Sequence, residues 1–354
     1  MNLRITLFRI AFALCAVLLT VACGGGSSRY GPLATPGAKT AASGGASSGD
    51  GGAGSLIITV PEGLSEYSIK DATSKPLIKP ADASTFLLDP ALSADGKLLA
   101  YVVQPPPKVQ GTKYDAGSDL WVANRDGSGQ HAVFTHDTPN QIVRYPQWED
   151  AGHILAIVME IANTGGTTNV TYVLERIDAA TGQRTRLLND VLAFGLAPDG
   201  KHAVYAKLSP QTGETLNSIE IGGETDVTLV GIDQNLSPFN SPRYSPDGTK
   251  IAFASADQTG ARANLEYVTA AGFGRDPAPP FDGLPEDIWT IGASGGAPQR
   301  VADLKEDLPA LTWGADGKHI YVVGASGLYD VNLGNGNSTR LGEGSFHAQI
   351  IWAP

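Results

Sequence analysis

Ser245-Pro246-Asp247-Gly248-Thr249-Lys250-Ile251-Ala252-Phe253 decides the architecture of this chain. It reads as a Pro-Asp-Gly turn between two short strands. Glycine supplies the positive φ of a tight hairpin, and Asp tolerates that region best among the other residues. The pattern returns along the chain. Aligned on the apolar residue four places before the turn glycine, the copies fall at 92–96, 148–152, 196–200, 244–248 and 313–317. The second is degenerate, with Asp150 one place early. After each turn comes a β-branched or aromatic run, at 98–102, 154–158, 203–206, 251–254 and 320–323, the composition strands prefer.

A second hairpin repeats between the turns. It pairs 119–123 with 131–134, 172–176 with 184–187, 218–221 with 227–230, 287–291 with 299–301, and 327–331 with 339–341. Each unit is therefore four short antiparallel strands that cannot cover both faces alone. Units set radially cover one another, which predicts an all-β propeller of four-stranded antiparallel blades. The chain ends fix the number of blades. Ile350-Ile351-Trp352-Ala353-Pro354 matches a first strand, while 55–60, 65–69 and 76–78 read as a second, third and fourth. One C-terminal strand plus three N-terminal strands complete a sixth blade, and the closed ring leaves no free sheet edge.

Trp-x-Pro-Asp-Gly with an apolar strand, then Leu-Trp or Leu-Tyr and a glycine turn, resembles the WD40-like (PD40) repeats of TolB-type six-bladed propellers, over roughly residues 55–354. The resemblance implies the propeller. TolB carries an α/β domain before it, and here a low-complexity segment stands in that place, so only the propeller is carried over.

The first residues read as an address. Arg4 and Arg9 precede an apolar run at 10–21, too short to span a bilayer comfortably. The run ends Leu19-Thr20-Val21-Ala22-Cys23, which resembles a bacterial lipobox with Thr20 where Leu is usual. This predicts a signal peptide over 1–22 and a lipidated Cys23; ordinary cleavage near Ala22, releasing a soluble periplasmic protein, is the alternative. Gly24 lacks the Asp that the family resemblance links to inner-membrane retention, which points to the outer membrane. Residues 24–54 are nearly all Gly, Ser, Ala, Thr and Pro, a composition that cannot offset its own ordering entropy. They read as a tether with a root-mean-square span on the order of 30 Å.

Composition narrows the function. The chain has 354 residues, and its net charge of -11 argues against a nucleic-acid or anionic-lipid partner. Both cysteines, Cys15 and Cys23, precede the folded part, which therefore has no disulfide or thiolate chemistry. Gly292-Ala293-Ser294-Gly295-Gly296 fits a nucleophile-elbow pattern but lies between two strands, where Arg125-Asp126-Gly127-Ser128-Gly129 holds the equivalent turn. His131, His136, His153, His202, His319 and His347 show no metal-ligand spacing. Trp148, Tyr244, Trp313 and Trp352 share one repeat position and read as inter-blade packing.

The expectation is a non-enzymatic, monomeric scaffold without cofactor or metal, held to the membrane only by its lipid and binding an envelope protein or peptide. Its contact residues are expected in the insertion from Asp257 to Glu286 that lengthens the interval between repeats, where Arg262, Tyr267, Phe273, Arg275 and Phe281 sit among Gly and Pro on the crossover side, with the loop 105–116 beside them. The alternative is a carbohydrate-active lyase or hydrolase at the central funnel, using acids of the crossover loops such as Asp137, Asp190, Asp233, Glu306 and Asp307.

Overall fold

The computed structural model describes residues 54–110, 113–164, 167–209, 213–259, 285–344, 346 and 348–354. The signal, Cys23, the tether and the loop residues Arg262, Tyr267, Phe273, Arg275 and Phe281 lie outside the described residues.

Six four-stranded antiparallel sheets form the blades. The first contains Phe86–Leu92, Leu98–Gln104, Asp119–Asn124 and His131–Phe134. The second contains Gln141–Trp148, His153–Thr164, Thr167–Asp178 and Arg184–Asn189. The third contains Val191–Leu196, His202–Ser209, Gly213–Glu220 and Asp226–Val230. The fourth contains Asn240–Tyr244, Lys250–Ser255, Glu286–Gly292 and Gln299–Glu306. The fifth contains Ala310–Trp313, His319–Val323, Gly327–Asn332 and Asn337–Glu343. The sixth joins Ile351–Ala353 to Ser55–Val60, Gly63–Ser68 and Thr73–Ile78.

The predicted closure is present. Ser55 pairs with Ala353, Leu56 with Trp352 and Ile57 with Ile351. Trp352 stacks on Tyr321 of the fifth blade with centroids 5.5 Å apart.

The apolar core is a circle of wedges between neighbouring blades. One joins the first and second blades through Val102, Leu120, Ile154 and Ala156. Others join second to third, third to fourth, fourth to fifth and fifth to sixth. The sixth meets the first through Ile57, Leu64, Leu99 and Tyr101. The shared aromatic position packs here, as expected, and also bonds backward. Trp148 Nε1 donates to the Ala91 carbonyl and Trp313 Nε1 to the Arg243 carbonyl, each in the preceding blade.

The turns carry one difference from the sequence reading. Gly96, Gly200, Gly248 and Gly317 do hold positive φ, but the Asp before each is not among the left-handed residues. Its carboxylate works instead. Asp247 Oδ1 accepts from Ser245 Oγ (2.6 Å), Thr249 N (3.0 Å) and Thr249 Oγ1 (2.8 Å), and the other turn Asp residues accept from backbone N–H groups two or three places on. Proline before it presets the φ of the first turn position. In the degenerate copy, Asp150 accepts from Gly152 N and His153 N, and Gly152 is not left-handed.

Blade-to-blade crossovers and the loops between second and third strands share one face; the Asp-Gly turns lie on the other. The crossover face is uneven. The middle hairpin of the second blade has two strands of 12 residues each, and the first blade adds a small hairpin of Lys108–Gln110 with Lys113–Asp115.

Candidate functional site

The innermost strands carry a feature that repeats but follows no simple motif. Those of the first, second, third and fourth blades each contain a bulge. In three of them a left-handed residue precedes proline: Asp89 (φ 50°) before Pro90, Tyr145 (φ 56°) before Pro146 and Ser241 (φ 47°) before Pro242. A bulge re-aims the residue it contains, and here all three turn to one polar network.

Asp89 is fully buried and central. Arg144 Nε donates to its Oδ2 at 2.5 Å, and the backbone N–H groups of Tyr145 and Gln349 donate to Oδ2 and Oδ1, both at 3.1 Å. The Gln349 side-chain oxygen accepts from Ser241 Oγ (3.1 Å) and from Arg243. Arg243 also donates to the Phe194 carbonyl (2.8 Å), to which Gln147 Nε2 donates at 2.9 Å. Residues from the first, second, third, fourth and sixth blades thus meet, which is possible only on the ring axis. Gly195 gives them room: a Cβ there would lie 2.1 Å from the Pro242 carbonyl oxygen.

The surroundings of the axis on the crossover side are strained and apolar. Asn140, Asp190, Asn235, Lys305 and Leu308 also have positive φ and lie on or beside crossovers; among the described residues only Ala72 of that class lies at the opposite face. Such conformations cost on the order of 1–2 kcal/mol for Lys305 and Leu308 and less for the Asn and Asp residues. Of the four exposed large hydrophobic residues among the described ones, Phe86 (48 %), Ile232 (53 %) and Leu308 (42 %) sit on this face; Val227 lies on an outermost strand.

His136 is pinned beside the small hairpin of the first blade. Its Nδ1 lies 2.6 Å from Asp119 Oδ1 and its Nε2 3.3 Å from Asp115 Oδ2, while a Cβ on Gly117 would meet the ring at 2.3 Å. Burial pushes the Asp115 carboxyl up, but N–H donors from Gly117 and Asn140 together with His136 outweigh it and hold it below its usual range. Pro105, Pro106 and Lys108 line a small recess around this ring.

Sequence reasoning placed Glu306 and Asp307 in a crossover loop. Glu306 instead ends the outermost strand of the fourth blade, 2 % exposed and opposite the buried Glu286. It accepts from Ser326 N (3.0 Å), Ser326 Oγ and Tyr329 OH (2.6 Å), so its oxygens are committed to holding the fifth blade's loop. Asp190 and Asp233 lie on crossovers as expected, and Asp137 does too, near Arg184 (3.8 Å). The Gly292–Gly296 segment is a hairpin turn, closed by Gly295 N donating to the Gly292 carbonyl. His153, His202 and His319 sit at hairpin tips, each beside the turn Asp.

Among the described residues one cluster has metal-ligand proximity, Glu149, Asp150 and His153. Arg176 already takes Glu149 by both oxygens (2.6 and 2.5 Å), and His153 Nδ1 faces Asp150 at 2.9 Å, so the donors are engaged with one another. None of Asp89, Arg144, Arg243 or Gln349 was singled out from sequence. The X-Pro pair two places before the anchor in three repeats was the available signal.

No protein-family model and no curated protein sequence matches the chain. Solved structures do match its fold. TolB from Acinetobacter baumannii aligns with a TM-score of 0.56 at 16 % identity, over 86 % of this chain and 68 % of that one. A TolB-named protein from Agrobacterium tumefaciens aligns with a TM-score of 0.52 at 16 % identity, over 84 % of this chain and 93 % of that one. The fold is thus the six-bladed propeller of TolB-like structures, as the PD40 resemblance implied.

Proposed function

We propose that this chain is a lipid-anchored cell-envelope protein whose propeller is a binding scaffold for another envelope protein or peptide. The crossover face is the docking surface. The observation that carries this is the segregation of left-handed non-glycine residues and of exposed Phe86, Ile232 and Leu308 to that face, while the turn face is built from self-satisfied Asp-Gly hairpins. Strain and exposed apolar area both oppose stability, and their shared location is the mark of a contact surface. The likeness to TolB structures supports an envelope setting. Cys23 supplies the lipid, the residues up to 54 the tether, and the loop with Arg262, Tyr267, Phe273, Arg275 and Phe281 a second contact element on the same face.

Photo-crosslinking side chains placed in cells at Ile232 and Leu308, against Lys201 and Lys318 on the turn face, test the docking surface. Adducts only from the first pair are expected; equal adducts from both faces would refute it. A Cys23→Ser variant should leave the membrane fraction, and deletion of 260–285 should weaken the crosslinks.

The alternative, a carbohydrate-active enzyme at the funnel, needs two carboxyl groups free to reach a sugar. At the axis Asp89 is already engaged by Arg144 and two backbone N–H groups. This favours the scaffold.

A further inference from the structure

The axial network holds two guanidinium groups and one carboxylate, and the two cations are treated differently. Arg144 is ion-paired to Asp89. Arg243 has no carboxylate within ion-pair distance among the described residues; its acceptors are the carbonyls of Phe194 and Pro242 and the amide oxygen of Gln349, all neutral. A half-buried cation with neutral partners alone is under-compensated. Burial pulls the Arg243 guanidinium down to about 10, only partly offset by the more distant Asp89. Burial also acts on Arg144, but the adjoining Asp89 outweighs it and the net shift is upward.

Three further observations mark this as a built site. The backbone is held left-handed at Asp89, Tyr145 and Ser241, each aiming a group at this level of the axis. The Arg144 side chain remains 25 % exposed although its partner Asp89 is fully buried, so the level is reachable from solvent. The Gln349 oxygen that Arg243 and Ser241 share occupies the place a carboxylate oxygen would take.

We infer that the propeller axis is a binding site for a single carboxylate, which displaces the Gln349 amide from Arg243 and lies between Arg243 and Arg144. A guanidinium fork matches a planar two-oxygen anion, and one such anion cancels the residual positive charge of the network. The carboxylate belongs either to a small free acid or to the terminus of a peptide entering from the crossover face. The site stands independently of the docking surface, because a free acid needs no protein partner.

The test is thermal unfolding of the purified chain with sodium acetate, against sodium chloride at matched ionic strength. A short alanine peptide with a free carboxylate, and the same peptide amidated, form the second arm. Acetate should raise the midpoint saturably by a few degrees beyond chloride, as a ligand of the folded state must. A larger response to the free-acid peptide than to acetate, absent with the amide, assigns a chain terminus; acetate alone assigns a free acid. Gln349→Glu puts the carboxylate in place covalently, so it should raise the midpoint without added anion and abolish the acetate response. Arg243→Gln should abolish the response too. Identical, unsaturable shifts in acetate and chloride, an acetate response that survives in Gln349→Glu, or a Gln349→Glu chain that fails to fold would each overturn the inference.

Discussion

At the scale of single residues, the turn Asp shows how a short motif is over-determined. Side-chain hydrogen bonds from Ser245 and Ser93, with backbone N–H donors, hold the Asp247 and Asp95 carboxyls at about 2, against an ordinary 3.8. A depressed folded-state pKa means stability that is complete above the unfolded value and is lost as pH falls through the folded one. The protein should therefore weaken between about pH 4 and about pH 2. Asp95→Asn with Asp247→Asn should flatten that slope in urea unfolding followed against pH, and an unchanged slope would contradict the turn-carboxylate account. The next residue obeys a separate constraint. A Cβ on Gly248 would meet Pro198 Cδ at an ordinary 3.7 Å, so only φ +71° opposes a side chain. Gly248→Ala should cost about 1 kcal/mol in denaturant unfolding, and Gly248→Asn less. The sequence pattern located both residues because turn chemistry is local. It misassigned the Asp because backbone tolerance and carboxylate bonding select the same residue type.

At the scale of elements, the second and fifth blades are latched to the one before by their anchor tryptophans. Trp313 is 5 % exposed and donates to the Arg243 carbonyl at 3.0 Å. Trp313→Phe keeps most of the apolar burial and drops the bond, so it should cost about 1–2 kcal/mol. Trp313→Ala also opens a cavity between the fourth and fifth blades and should cost about 4 kcal/mol, a difference that chemical denaturation resolves. The anchors were legible because they recur at one register of the repeat. The axial residues were not. Asp89 and Gln349 share the position three places before the anchor with Tyr145 and Ser241, but Arg144 and Arg243 sit elsewhere on their strands and the residue type changes among these copies, so no motif marks the network until the ring closes. Asp89→Asn tests their coupling: it removes the one fully buried carboxylate from beside two half-buried guanidinium groups and should cost about 3–5 kcal/mol, more than most substitutions of one polar residue by another.

At the scale of the whole molecule, the ring is held shut at one place by backbone hydrogen bonds between residues at opposite ends of the folded chain. Ser55 Oγ adds a bond to the Ala353 carbonyl, and Trp352 N donates to Thr312 Oγ1 in the fifth blade. Every other blade joins its neighbour by side-chain packing, side-chain hydrogen bonds and a covalent crossover, with no strand shared between chain ends. The sixth blade is therefore the point where the two ends of the chain hold each other, and separating them requires loss of the pairing at Ser55, Leu56 and Ile57 together. A circular permutant isolates this effect. Its native ends would be joined by Ser-Pro-Asp-Gly, copying the turn of the fourth blade, and new ends opened within 81–84, an exposed part of the crossover. All six blades then become continuous hairpins, and the native hydrogen bonds and wedges are retained. The ring is now closed between the sixth and first blades by packing alone, without a strand shared between the ends. The permutant should fold with an unchanged far-ultraviolet spectrum but unfold several-fold faster in urea, because opening no longer has to break backbone pairing first. An unfolding rate equal to the parent's would mean that the wedge of Ile57, Leu64, Leu99 and Tyr101, and not the shared sheet, sets the barrier to opening.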